Sequence, residues 1–111
     1  MNKIITKDGI PTLQVNDPGD LKEYLLVDVR TSEEFTGELG HIKGSQLATL
    51  GPDLDAFLKN QDKSKTVLFI CRSGARSGRA TEQALNLGFK EVYNMEGGMM
   101  SWNEKKFPVE R

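Results

Sequence analysis

The chain has 111 residues, in which 15 basic and 16 acidic side chains leave a net charge of −1, a size that fits one domain with its own core. Basic residues cluster only in pairs such as Lys105 and Lys106, which excludes a phosphate-backbone footprint and argues against nucleic acid as a partner. One cysteine and one histidine exclude an internal disulfide and a metal site of the usual nitrogen and sulfur ligands, and with no Walker-type or GxGxxG loop no cofactor is implied.

From MNKIITKDGI onward no long apolar run appears, so neither a signal peptide nor a membrane span is expected, and a reducing, cytoplasmic location is the default. TLQV at 12–15 and YLLVDV at 24–29 are predicted strands, rich in β-branched or aromatic residues. Thr31 and Glu34 form a capping box that opens a helix at TSEEF. Pro52 suits a first helical position, with Leu54, Phe57 and Leu58 as the apolar stripe behind it. TVLFI at 66–70 is the next strand, followed after Cys71 by a helix carrying Ala80, Ala84 and Leu87 and stopped by Gly88. EVYNM at 91–95 is the last strand. Gly97 and Gly98 then form a tight loop, and Trp102 packs a final helix onto the sheet.

LLVDV and VLFI are nearly continuous apolar runs, which suits strands covered on both faces. Strand and helix alternate, so the expected fold is an α/β domain over residues 1–111, three-layered, with a central, mainly parallel sheet flanked by helices. Cys71 then lies at the carboxyl end of a central strand and beside the amino end of the next helix, where open parallel sheets collect ligands.

A helix amino terminus offers unpaired N–H groups and partial positive charge, and a thiolate is an anion that such a terminus stabilises. In CRSGARS, Ser73, Gly74 and Ala75 let the backbone curl tightly, while Arg72 and Arg76 add formal charge. Comparable sites bring a thiol from about 8.5 to about 7 or below, a preference of roughly 2 kcal/mol for the thiolate. The alternative is that a cysteine closing VLFI simply fills core space, as cysteines commonly do. A core filler has no need of the glycine, serines and arginines that follow it, so the nucleophilic reading is favoured.

These residues resemble a known family, the single-domain rhodaneses, which are sulfurtransferases. CRSGARS at 71–77 is similar to their active-site loop, VDVRTSEEFTGELGHIKGS at 27–45 to their upstream signature, and VYNMEGGMMSW at 92–102, with Pro108 and Val109 beyond, to their downstream one. The resemblance implies that Cys71 takes the outer sulfur of thiosulfate or a similar small anionic donor, holds it as a persulfide, and passes it to a thiol acceptor such as a small redox protein, or to cyanide. The backbone from Arg72 through Ser73, Gly74, Ala75 and Arg76 to Ser77 would bind the donor and cradle the persulfide, with the two arginines attracting negative charge.

Cysteine-based phosphatases and arsenate reductases are the runner-up. They place one more residue between cysteine and arginine, and the shorter loop here suits one extra sulfur better than a phosphoryl group. Neither neighbour of the loop is a carboxylic acid, leaving Asp28 or Glu96 to approach in space as a leaving-group acid. A non-catalytic rhodanese-like binding or regulatory module is a third reading, against which the presence of the cysteine argues.

Among the remaining residues, Asp28 and Arg30 share a strand face and are expected to be structural, in an ion pair that ties strand to loop with Glu33 or Glu34 as candidate partners, rather than to steer substrate or orient a loop arginine. His41 in GHIKG is expected to be structural, since a helix-end thiolate needs no base. Met99 and Met100 are candidate pocket walls, with core filling preferred, and Arg79 and Glu82 are expected to be a solvated surface pair. The chain departs from the family pattern at Ser45 and Leu47, and at Lys106, where a glycine is common.

Overall fold

The structure, a computed structural model, describes residues 2–111. Six strands form one sheet: β1 (Lys3–Lys7), β2 (Ile10–Gln14), β3 (Leu25–Asp28), β4 (Gln46–Leu47), β5 (Thr66–Ile70) and β6 (Glu91–Met95), in the spatial order β1-β2-β6-β5-β3-β4. Only β1 and β2 pair antiparallel; β2–β6, β6–β5, β5–β3 and β3–β4 are parallel. Helices α1 (Ser32–Phe35), α2 (Pro52–Lys59), α3 (Ala75–Asn86) and α4 (Gly98–Glu104) lie between and after these strands. The architecture is therefore mixed α/β with a mostly parallel sheet, as anticipated. No helix among the described residues is long and apolar enough to cross a membrane.

Two strands and a 3-10 turn at Pro18–Leu21 are additions to the predicted elements. KIITK carries lysines at both ends and is mostly exposed, so no buried-strand pattern marks it. What makes it a strand is the turn at Asp8 and Gly9, with φ of 53° and 78°, the positive pair that an Asp-Gly hairpin adopts. That local signal stood in the sequence. The two residues of β4 are exposed and acquire strand geometry only by pairing with Val27 and Asp28.

Successive residues of β5 face opposite sides of the sheet. Val67 and Phe69, with Cys71 continuing their direction, pack with Leu54 and Leu58 of α2 and with Ala80 and Ala84 of α3. Leu68 and Ile70 pack on the other side with Met95, Met99 and Trp102. Burial on both faces is the physical reason for the unbroken apolar run. Trp102 fixes α4 to the chain end by donating its indole N–H to the Pro108 carbonyl at 2.8 Å.

Helix α4 ends in a Schellman motif. Lys106 donates to the Asn103 carbonyl at 2.9 Å and Phe107 to that of Trp102 at 3.2 Å, while the Phe107 and Trp102 rings meet edge to face at 5.1 Å. This motif places its first residue beyond the cap in the left-handed region, which favours glycine. Lys106 occupies it with φ 61°. The departure at Lys106 thus keeps the turn and forgoes the residue best suited to it.

Candidate active site

The loop begins where β5 ends. Cys71 directly follows Ile70, and Gly74, with φ 113°, turns the chain into α3. A second helix end holds the loop from the side: the Met99 N–H donates to the Cys71 carbonyl at 2.8 Å and the Met100 N–H to the Arg72 carbonyl at 3.0 Å. So close an approach requires glycine at position 98. A Cβ there would stand 2.5 Å from the Cys71 and Arg72 carbonyl oxygens, and φ is +56°. The Gly97–Gly98 pair is thus the start of α4 itself, seated on the first residues of the loop.

The Cys71 Sγ accepts the Gly74 N–H at 3.0 Å and the Ser77 hydroxyl at 3.2 Å. Burial pushes the thiol up, but the Ser77 hydroxyl and the backbone N–H groups of Ser77, Gly74 and Ser73 more than offset it, leaving the thiol below its ordinary range. Cys71 is 1 % exposed, and its sulfur is held from within by polar hydrogens rather than by the formal charge of the two arginines. Ser73 and Ala75 are on the outside of the loop.

Arg76 points its fork at a carboxylate. Its two terminal nitrogens donate to Glu34 at 2.7 and 2.8 Å, a bidentate pair. The Arg76 hydrogen bonds hold the Glu34 carboxyl down to about 2, against an opposing push from burial. Glu34 also completes the capping box with Thr31 that starts α1, so one side chain ties helix start to loop. Arg76 still lies close enough for the sulfur's charge to favour its own, yet its hydrogen bonds go elsewhere. Arg72 is exposed, with its Nη1 3.4 Å from the Met100 Sδ, and has no carboxylate partner among the described residues. The two arginines, given like roles by the sequence, differ in their partners: Arg76 is compensated by Glu34 and Arg72 is not.

Asp28 and Arg30 are buried together, linked at 2.8 Å, with Arg30 also donating to the Gly40 carbonyl at 2.7 Å. The structural role is the expected one, but the two residues pair with each other, while Glu34 is taken by Arg76. His41 stacks on Phe35 at 3.8 Å and places its Nδ1 2.8 Å from the Phe35 carbonyl, again structural. Glu96 accepts from Gln14 at 3.0 Å and faces Lys7 at 3.9 Å. Asp28 and Glu96 are thus each engaged with partners other than the sulfur. Met99 is core and Met100 is exposed at the loop. Arg79 and Glu82 form no ion pair; both line a cavity of about 390 Å³ with Ser73, Gly74, Asn94 and Glu96. Cys71, almost wholly buried, is absent from that lining.

Asn94 lies outside the predicted loop, on β6. Its Oδ1 lies 2.5 Å from the Ser77 Oγ and its Nδ2 donates to the Gly74 carbonyl at 3.0 Å. The available signal was the side-chain alternation of β6. Val92 belongs to the core face that α3 covers, and a polar residue two positions on, toward that same face, needs a partner.

The family model for the rhodanese-like domain matches residues 13–105. The thiosulfate sulfurtransferase GlpE of Vibrio cholerae is 32 % identical over 89 residues, covering 80 % of this chain and 81 % of that protein. Among solved structures, a rhodanese-related protein from Thermoplasma volcanium superposes with a TM-score of 0.78 at 30 % identity, over 89 % of this chain and 96 % of that one. A protein of unknown function from Rhodopseudomonas palustris, described as a possible tyrosine phosphatase, superposes with a TM-score of 0.75 at 29 % identity, over 89 % of this chain and 83 % of that one.

Proposed function

This chain belongs to the rhodanese-like domain family, and from that premise we propose that it is a sulfurtransferase in which Cys71 carries sulfane sulfur from thiosulfate or a similar donor to a thiophilic acceptor. The observation that carries this reading is the sulfur of Cys71 receiving the Gly74 N–H and the Ser77 hydroxyl at the amino end of α3. Those donors favour the nucleophilic thiolate, and the same N–H groups suit the anionic persulfide.

In the first step the Cys71 thiolate attacks the outer sulfur of thiosulfate. An S–S bond forms to Cys71 as the bond between the two donor sulfurs breaks, and its electron pair leaves with sulfite. In the second, an acceptor thiolate or cyanide attacks the outer sulfur of the persulfide, and the Cys71 thiolate is released. No outside oxidant or reductant is consumed. An S–S bond of about 2 Å carries the transferable atom beyond a sulfur that is itself almost wholly covered. Arg72, the uncompensated cation of the loop, draws the dianionic donor, while Arg76 acts through Glu34 as a brace that keeps the loop closed. The supporting residues are Arg72, Ser73, Gly74, Ala75, Arg76 and Ser77, with no metal or cofactor and with a thiol, free or on a small redox protein, as acceptor. A cytoplasmic setting suits a nucleophile that must stay reduced.

The phosphatase reading has support in the likeness to a possible tyrosine phosphatase. Against it stand the short loop and the engagement of Asp28 and Glu96 with other partners. One experiment separates the alternatives. The protein is incubated with thiosulfate and weighed intact, with Cys71→Ser as control and an aryl phosphate as rival substrate. The expected result is one added sulfur, removed by cyanide or dithiothreitol and absent from the serine variant. Phosphate release without an adduct would transfer the assignment to a phosphatase, and neither product would leave a binding module.

A further inference from the structure

The Ser77 hydroxyl has one hydrogen and two acceptors within reach, Cys71 Sγ at 3.2 Å and Asn94 Oδ1 at 2.5 Å. A hydroxyl cannot donate one proton to both. The orientation of the Asn94 amide is set by its other end. Nδ2 donates to the Gly74 carbonyl at 3.0 Å, and turning the amide over would aim Oδ1 at that carbonyl, acceptor against acceptor. Oδ1 therefore faces Ser77 as an acceptor only.

We propose that Asn94 is a positioning residue that competes with the Cys71 thiolate for the single proton of Ser77 and thereby sets how readily the nucleophile ionises. While Cys71 is a thiol, its S–H donates to the Ser77 Oγ and the Ser77 O–H donates to Asn94 Oδ1, so the three groups form one directed chain. When Cys71 ionises, its proton leaves to solvent and the Ser77 hydrogen rotates from Asn94 to the sulfur. The thiolate gains a donor at the moment the Asn94 oxygen loses one. Asn94 thus opposes ionisation, while its Nδ2 holds the Gly74 carbonyl and so keeps the Gly74 N–H aimed at the sulfur. Asn94 thereby limits how far the loop's donors favour the thiolate, without any movement of the loop.

The charged groups around the sulfur are Arg72 on the loop, Arg76 of α3 with its partner Glu34 of α1, and the Asp28–Arg30 pair of β3 and its continuation. From β6 the one nearby carboxylate, Glu96, is turned to Gln14 and Lys7, and the first turn of α4 carries no acidic residue. A substitution at Asn94 alters none of these charges unless it introduces one. The inference rests on Cys71 as the reactive group of the proposed sulfurtransferase. Its test reads ionisation without any sulfur donor, so transfer chemistry and proton competition fail separately.

The experiment titrates the ultraviolet absorbance of the lone thiolate in the full chain and in a double-mutant cycle of Asn94→Leu and Ser77→Ala. Asn94→Leu is expected to lower the ionisation midpoint by about one pH unit more when Ser77 is present than when it is alanine, about a tenfold gain in the thiolate-to-thiol ratio. Loss of the Gly74 contact is common to both backgrounds and cancels. Equal shifts in the two backgrounds overturn the proposal, since a purely structural asparagine has no reason to act through the serine hydroxyl. Should the leucine variant not fold, Asn94→Asp serves in the same cycle: a stronger acceptor raises the midpoint, and the rise is larger with Ser77 than without it. Equal rises again overturn the proposal.

Discussion

Replacing Glu34 by glutamine removes one charge and little else. The glutamine oxygen still accepts the Thr31 N–H that the carboxylate accepts at 3.1 Å, so the start of α1 survives. What is lost is the bidentate grip on Arg76. The fall of the Glu34 carboxyl from 4.5 to about 2 corresponds to roughly 3.5 kcal/mol if taken whole, at about 1.4 kcal/mol per tenfold change. Glu34 and Arg76 are 29 % and 33 % exposed, and screening by water reduces this to about 1–2 kcal/mol. Urea unfolding near neutral pH should show that loss, and thermal unfolding a drop of about 4–8 °C. Because the folded carboxyl titrates below the unfolded one, the stabilisation is present above the unfolded value of 4.5 and is lost as pH falls through about 2. The gap between wild type and Glu34→Gln must therefore narrow over that window. A gap that persists undiminished in acid would place the loss in packing, and no gap at neutral pH would leave Arg76 unbraced in solution.

Two further substitutions probe the backbone around the site. Gly98→Ala puts a methyl 2.5 Å from the Cys71 and Arg72 carbonyls at a positive φ; it should destabilise by about 2 kcal/mol or more, of which about 1 comes from the left-handed conformation, and should impair sulfur loading. An unchanged urea midpoint with normal loading would contradict the close approach. Lys106→Gly should stabilise by about 0.5–1 kcal/mol, because φ is already 61° there and glycine adopts it without the side-chain penalty. A lower urea midpoint would show that the lysine stem contributes more than its backbone conformation costs.

Sequence by itself determined the features that depend on neighbours along the chain. The apolar runs at 66–70 and 91–95 became strands with the predicted bounds, Pro52 opened α2 and Thr31 with Glu34 capped α1, and the one cysteine came to the end of a central strand ahead of a helix. These follow from periodicity, capping and turn chemistry, each settled within a few residues. KIITK became a strand through pairing that its own pattern did not announce, although its Asp-Gly turn was readable.

Tertiary structure decided what surrounds the sulfur. Arg76 is occupied by Glu34 across 42 positions of sequence, and Ser77 is shared with Asn94 across 17. Motif spacing places two arginines near Cys71 but does not say which is free. Nor does it show that the thiol is 1 % exposed, held by amides and a hydroxyl rather than bathed in a basic surface. Charge and hydrogen-bond donation act through space over a few ångströms, so the availability of an arginine or a serine proton depends on which distant segment the sheet and helices bring beside it.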